Sequence, residues 1–535
     1  MNYKGKALLS SICLLLFLNP GCGLRTKKPV VQENRVLYSS DNFQRDMILQ
    51  KEGCGNLISG GNSLLVDSRE STEEWNEGFR ISSGLLEDSG RYRIRLDYKV
   101  LERNSEDDYF YFLFVSAGNP KPWKEPDNNC TWRGYTVFRG KPGEQSSIQQ
   151  KVILPGECKD YELLFGVRGR GAIQINALEI QKLTPWPREK LIDRARTVKS
   201  RQPYEPYGIC FQGGMLWVYK SEEEVRRGVR LLADTGVQWI RIGVSWTFLE
   251  WNQGEINKKL LRYTDATLEE CEKAGITPYI QLLGIPKWAS RQPEHERYWA
   301  CAPNDLEYWR EHVRFVVKRY GNRVDYWEVW NEWDWTFWEG SIEEFVPLLR
   351  ITYEELKAAD PGCQVILGGL ASDGVHAWDI KADVNALQRF YDAGGGQYYD
   401  IFSMHPYAGN LETGVYESID KINTACEILN RNGDGDKPVW LTELGASTWN
   451  WLSLEDQAAY VRQVYDIILL HPAVDKVFWY NFRCIGEDPK EDQHNFGLVN
   501  YNFTPRPAYK SYQAMPKREN RLVYYPFSPS GAGCD

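Results

Sequence analysis

From Tyr207 onward one pattern repeats eight times: a short apolar run, then a stretch with the spacing of an amphipathic helix. The runs are YGICFQ from Tyr207, VQWIRIGV from Val237, ITPYIQLL from Ile276, VDYWEVW from Val324, CQVILGG from Cys363, YDIFSMH from Tyr399, KPVWLTE from Lys437 and DKVFWYN from Asp475. They alternate little, as befits parallel strands whose two faces are both covered. Three of the helical stretches are Ser221–Gly236, Leu306–Gly321 and Glu455–Leu470. In the first, Ser221 and Glu224 form a capping-box signature, Val225, Val229 and Leu232 share a face, and Gly236 is a stop signal. Eight such units in roughly 300 residues match a (β/α)₈ TIM barrel in number and length. A doubly wound open sheet is the alternative, but no glycine-rich phosphate loop follows the first run.

The preceding part has another texture. Arg91–Leu101, Tyr109–Ala117, Gln149–Pro155, Tyr161–Gly169 and Ala172–Leu183 alternate with period two between Gly, Asp and Asn turns. An all-β sandwich, jelly-roll-like, is expected over 34–183. Its closing run GAIQINALEIQ resembles the last strand of jelly-roll carbohydrate-binding modules, so the domain is either a sugar binder or a structural accessory. Charged, proline-punctuated residues 184–206 read as a linker, 207–518 as the barrel and 519–535 as a tail. At the start, Lys4 and Lys6 precede an apolar stretch from Ala7 to Leu18, the form of an export signal over residues 1–22. Gly21-Cys22 also resembles a bacterial lipoprotein signal, which implies a lipid anchor at Cys22. The expected location is outside the cytoplasm: periplasmic, cell-surface or extracellular. No later segment is long and apolar enough for a transmembrane helix.

Of twelve cysteines none forms a CxxC pair, which speaks against zinc; Cys130 and Cys158 are one candidate disulfide, and buried free thiols are the other reading. A net charge of −9 without a long basic run argues against nucleic acid or an anionic membrane as partner.

In a barrel of this kind the chemistry sits at the C-terminal strand ends. There strand two brings Arg241, strand three Gln281 or Trp288, and strand four Asn331-Glu332. Strand six brings His405 and Tyr407, strand seven Glu443, and strand eight Trp479, Tyr480 and Asn481. Glutamates on strands four and seven face each other across the mouth, and paired carboxylates flanking a bond are what glycoside hydrolysis requires. Aromatic rings fit the same chemistry, because a sugar offers apolar C–H faces and polar edges. Five tryptophans crowd Tyr326–Gly340 around Glu332. Trp333, Trp335, Trp338, Trp449 and Trp451, in strand-end loops, are the candidate platforms. Glu328 reads as structural, and Asn432–Asp436 (NGDGD) as a turn rather than a calcium loop. No HExxH or GxSxG is present, so neither metal nor cofactor is expected.

WEVWNEWD followed by VWLTELGAS resembles the clan A glycoside hydrolases, families 39 and 5 among them. Where that clan usually has Asn-Glu-Pro, this chain has Asn331-Glu332-Trp333. The resemblance implies Glu332 as acid/base and Glu443 as nucleophile, with Asn331 on the substrate 2-hydroxyl. It also implies Arg241 as the residue that keeps Glu443 ionised, a His405–Tyr407 pair on strand six, and Trp479 as a sugar-stacking ring. Trp288 and Trp335 complete the expected substrate contacts. The function so implied is retaining hydrolysis of an oligo- or polysaccharide. The alternative is a non-catalytic glycan-binding protein that keeps the barrel as scaffold.

Overall fold

The computed structural model describes residues 35–40, 49–51, 55–57, 63–73, 75–81, 90–105, 108–116, 132–138, 140–154 and 161–183, then 205–212, 216–371, 385–407, 414–449 and 452–515. The expected signal and Cys22, the linker up to 204, the tail, Cys130, Cys158 and Trp451 lie outside the described residues.

Among the described residues, eleven strands make up the first part: β1 (Arg35–Ser40), β2 (Leu49–Lys51), β3 (Gly55–Leu57), β4 (Leu64–Asp67), β5 (Trp75–Ile81), β6 (Gly90–Arg103), β7 (Tyr109–Ser116), β8 (Trp132–Phe138), β9 (Gln145–Leu154), β10 (Tyr161–Arg168) and β11 (Gly171–Leu183). They form two antiparallel sheets, β3-β4-β11-β6-β9 with β1 also on β11, and β2-β5-β10-β7-β8. The period-two reading is visible in β6. Tyr92, Ile94, Leu96, Tyr98 and Val100 are buried, while Arg93, Asp97 and Lys99 are half-buried and Arg95 is exposed. The buried set packs with Phe110 and Phe112 of β7 and Leu163, Phe165 and Val167 of β10. All five alternating runs are strands.

The second part is the barrel. Its strands are β12 (Tyr207–Phe211), β13 (Trp239–Ser245), β14 (Thr277–Leu283), β15 (Tyr326–Val329), β16 (Gln364–Leu367), β17 (Phe402–Ser403), β18 (Val439–Leu444) and β19 (Val474–Trp479). They pair in parallel in the order β16-β15-β14-β13-β12-β19-β18-β17. Isolated parallel bridges Ile366–Ile401 and Leu370–Met404 bring the two ends of that sheet together. The helices are α1 (Glu222–Ala233), α2 (Trp246–Leu249), α3 (Lys258–Ala274), α4 (Leu306–Tyr320), α5 (Ile342–Ala359), α6 (Ala386–Asp392), α7 (Gly414–Arg431), α8 (Leu454–Ile467) and α9 (Pro507–Gln513).

Local signals explain the punctuation. Ser221 Oγ accepts from the Glu224 N–H at 3.2 Å, and Glu224 Oε2 reaches back to the Lys220 N–H at 3.0 Å, one residue short of the reciprocal bond of a capping box. Such a cap contributes about 1 kcal/mol. Gly236 follows α1 with φ +73°, a left-handed turn in which glycine bears no Cβ penalty. Inside the barrel, Cys210, Trp239, Tyr279, Ile366, Ile401, Trp440 and Phe478 pack into one cluster. The alternate residues Ile209, Ile240, Ile280 and Val477 join the helices in the outer core. The NGDGD segment is a turn held by side chains. Asp434 Oδ2 accepts from Tyr391 and Tyr399, each at 2.7 Å, and pairs with Lys437 at 3.1 Å. A lysine therefore supplies the positive charge that a calcium loop would take from an ion. Cys210, Cys271, Cys363 and Cys484 are buried free thiols. Among the described residues no helix is long and apolar enough to cross a membrane.

The sandwich touches the barrel where β9 lies against α7 and where Asn385 Nδ2 donates to Tyr98 OH at 3.5 Å. Each part has its own core. A fragment from about residue 200 to 518 is therefore expected to be soluble and to unfold cooperatively by circular dichroism. Recovery of that fragment only as aggregate would mean that the barrel depends on the sandwich contact.

Candidate active site

Arg241 is the hub. It projects from β13, is buried, and makes four hydrogen bonds. Nε and Nη2 grip the fully buried Glu328 of β15 at 2.6 and 3.0 Å. Nη2 also donates to Asn331 Oδ1 at 2.8 Å, and Nη1 donates to Glu443 Oε1. A planar guanidinium suits this task, because its donors lie in a fixed fork. Gln281 of β14 supports the arrangement: its Nε2 donates to Asn331 Oδ1 at 3.0 Å and to Trp330 O at 2.9 Å. Asn331 Oδ1 is thus fully engaged, and its amide NH₂ is the end left to meet a ligand.

Glu332 follows β15, its backbone N–H bonded to Gly369 O at 2.9 Å. Its Oε1 lies 2.7 Å from Nδ1 of the buried His405, just past β17. The other imidazole nitrogen meets Thr442 Oγ1 at 3.1 Å, and Nδ1 stands 3.7 Å from Glu443 Oε2. Gly369 makes room for this ring, since a Cβ there would fall 2.0 Å from His405 Nε2. Glu443, on β18, completes the set by accepting from Tyr407 OH at 3.1 Å on Oε2. Glu332, His405 and Glu443 each present an atom within 4.8 Å of the other two. That compactness would suit a cation, yet these atoms already have protein partners.

The electrostatics follow from this packing. Burial works against ionisation of Glu443, but the charges of His405 and Arg241 and the bonds from Arg241 and Tyr407 outweigh it and hold the carboxyl below its usual range. Burial also works against a charged His405, and here the Glu443 carboxylate and the bond and charge of Glu332 prevail, raising the imidazole. Tyr407 is driven well above the usual phenol range by burial and then by Glu443, so it stays a neutral donor.

The structure thus gathers Arg241, Asn331, Glu332, His405, Tyr407 and Glu443 at one mouth, with Gln281 as the strand-three contribution. The aromatic residues depart from expectation. Trp479 is 0% exposed, its ring edge-on to Tyr460 of α8 in the outer core. The neighbouring Tyr480 takes the inward side, packs with Phe496, and feels the charges of Glu443 and Glu332. Successive strand residues point to opposite faces, so a one-residue choice decides the matter. Trp333 and Trp338 are core rings as well. Trp333 stacks on Phe345 at 5.2 Å, its Nε1 bonded to Gly368 O, and Trp338 packs edge-on to Trp330 and Phe345. Trp288, Trp335 and Trp449 are half-buried. Trp288 is fixed by a 3.0 Å bond to Glu250 O and edge contacts to Trp246 and Tyr308. Thr442 and Gly369 were not singled out by sequence. The only prior hint for Gly369 was the Gly-Gly pair that ends the strand-five run.

Two family models match adjoining parts of this barrel: glycosyl hydrolase family 1 over residues 219–350 and glycosyl hydrolase catalytic core over 362–512. Among curated proteins, a beta-xylosidase of Caldicellulosiruptor saccharolyticus is 23% identical over 297 residues, 51% of this chain and 59% of its own. Beta-glucosidase 12 of Oryza sativa subsp. japonica is 30% identical over 116 residues, 21% of this chain and 22% of its own. The chain therefore spans between about a fifth and three fifths of the length of these relatives. Among solved structures, a family 39 glycoside hydrolase from the gut symbiont Bacteroides cellulosilyticus WH2 aligns with a TM-score of 0.45 and 24% identity over 79% of this chain and 81% of that one. The exo-beta-1,4-mannosidase Op5Man5 from Opitutaceae bacterium strain TAV5 aligns with a TM-score of 0.45 and 17% identity over 58% of each. The similarity is to the clan A glycoside hydrolases, the class whose motifs the strand ends carry.

Proposed function

We propose that this protein is a glycosidase that hydrolyses O-glycosidic bonds of an oligo- or polysaccharide with retention of configuration. The observation that carries the reading is the pair Glu332 and Glu443, on facing strands with oxygens within 4.8 Å. Retention needs carboxyl groups about 5–5.5 Å apart, whereas inversion leaves about 6.5–9.5 Å for a water. The two environments also differ in kind. Glu443, held ionised by Arg241 and Tyr407, suits attack on the anomeric carbon. Glu332, tied to His405 and clear of the arginine, suits proton delivery to the leaving oxygen. In the second half Glu332 takes a proton from water, which opens the Glu443 glycosyl ester. Asn331, its carbonyl fixed by Arg241 and Gln281, offers its NH₂ to a sugar hydroxyl. The beta-glycosidases among the relatives support a β-linked substrate.

The test is a release assay on a panel of β-linked glycans with the product anomer read by NMR before mutarotation. Initial product of inverted configuration, or no product from any glycan, would sink the reading, the latter in favour of a non-catalytic binder.

Tyr407→Phe gives a graded test. It removes one donor from an ionised carboxylate, an interaction worth about 1.5–3 kcal/mol, so kcat/KM should fall roughly ten- to a hundredfold. Glu443 must be ionised to attack, and activity is lost as pH falls through its depressed pKa. With less to depress it, that loss should set in at higher pH. An acidic limb that stays in place would remove Tyr407 from this role.

A further inference from the structure

Among the described residues two tryptophans are more than half exposed, Trp217 at 53% and Trp251 at 59%. They do not lie at random. Trp217 follows β12 and Trp251 follows β13 and α2, so both stand on the strand-end face that carries Glu332 and Glu443. Both rings meet the same Phe248 edge-on, with centroids 5.2 and 6.4 Å away. Two exposed indoles braced on one phenylalanine leave apolar faces in water, an arrangement that a protein keeps for a ligand rather than for stability.

The backbone beneath them is fixed. Beside Trp251, the Glu250 carboxylate accepts from Trp246 Nε1 at 2.8 Å and the Gly254 N–H at 2.7 Å, and its carbonyl accepts from Trp288 Nε1 at 3.0 Å. Beside Trp217, Arg483 Nη1 donates to Val218 O at 2.9 Å, and Tyr501 OH donates to Trp217 O at 3.5 Å. Rings held in place before binding lose little entropy on contact.

A second observation links this platform to the acid pair. Gln212 directly follows β12, two residues past Cys210, whose Sγ donates to Thr442 O beside Glu443. Gln212 is 5% exposed, and among the described residues neither end of its amide has a hydrogen-bond partner. A buried amide without partners is costly, and a hydroxyl-bearing ligand would recover that cost. The exit of the first barrel strand thus holds a buried amide in want of partners, and the loops after the first two strands hold two bare indoles.

We propose that Trp217 and Trp251, braced on Phe248, form a sugar-stacking subsite that, with Gln212, carries a pyranose chain from the acid pair over the loops after the first two barrel strands. The occupant is a neutral glycan: indole faces match the C–H faces of pyranose rings, and an amide matches their hydroxyls. That the chain is also the one cleaved rests on the proposed glycosidase activity; the binding itself does not.

The experiment is affinity electrophoresis of the full chain in native gels containing barley β-glucan, xylan or glucomannan. At least one of these should retard the wild type. The double variant Trp217→Ala/Trp251→Ala should lose that retardation at least tenfold, Trp251→Tyr should keep most of it, and Phe315→Ala, an exposed aromatic on α4, should keep all of it. Unaltered melting of the variants by circular dichroism separates lost binding from lost fold. The proposal is overturned if no glycan retards the wild type, or if the folded double variant is retarded as much as the wild type. Tryptophan-dependent retardation without any sugar release would leave the subsite standing and sink the glycosidase reading. Sugar release with tryptophan-independent retardation would do the reverse.

Discussion

Glu443→Ala is expected to abolish turnover on every glycoside the wild type accepts, by on the order of 10⁴-fold or more, the scale on which losing a nucleophile is felt. The loss should be independent of the leaving group, because no glycosyl ester can form without the carboxylate. Structure suggests the rescue. Glu443 lies between Arg241 Nη1 and Tyr407 OH, and shortening it to a methyl group leaves those two donors around a space at the anomeric carbon. Azide, a small anion, should occupy it and attack directly. One displacement instead of two gives a glycosyl azide of inverted configuration, measurable by NMR. Residual activity within tenfold of wild type would mean that another residue is the nucleophile.

Glu332→Ala should behave differently in kind. Here the nucleophile and its Arg241 and Tyr407 contacts remain, so the first step survives wherever the leaving group needs no proton. Activity on natural glycans should fall by about 10²–10⁴, the usual worth of a positioned acid. Activity on 2,4-dinitrophenyl glycosides should show a burst of phenol followed by slow release, because no base remains to activate water. Azide should then speed release and give a product of retained configuration. If Glu332→Ala matches wild type on natural glycans, the acid/base assignment fails. The opposite stereochemistry of the two azide products is the most discriminating result, since a purely structural role for either glutamate predicts neither.

How far the sequence carries depends on which kind of signal each feature leaves. The eight barrel strands were readable because parallel strands covered on both faces are continuous apolar runs, and each run from Tyr207 to Asp475 overlaps its strand, with only Ser245, Leu444 and Val474 at the ends of β13, β18 and β19 falling outside. In the sandwich, β6 was readable from the alternation of Arg91–Leu101, whereas β2 and β3 have three residues each, too few to show any period. At the site, strand ends identified which residues approach one another, and the polar groups obey that logic. Face was harder to read. DKVFWYN offers Trp479 and Tyr480 side by side, and an apolar run alone does not tell which one looks inward. Glu328 reads as structural from sequence, but its grip on Arg241 joins β13 to β15 and depends on contacts between residues 87 apart. Thr442 has no local signature at all; its value lies in a 3.1 Å contact with His405 from another strand.

Three of the five tryptophans around Glu332 have a use other than touching sugar. Trp330 and Glu332 hold left-handed backbone conformations, with φ +73° and +38°, although neither is glycine. Such a conformation costs roughly 1–2 kcal/mol per residue. The rings resist its relaxation: Trp330 Nε1 is bonded to Phe337 O at 2.7 Å, Trp333 Nε1 to Gly368 O at 2.8 Å, and Trp338 Nε1 to Ser341 O at 2.9 Å. The aromatic mass works as a clamp on a contorted strand exit, and the acid is what the clamp holds out. Changes to the clamp would let the chain unwind and misplace Glu332. The described parts of the loops after β12 and β13 hold no non-glycine residue at positive φ, so a substitution there leaves the strained exit untouched.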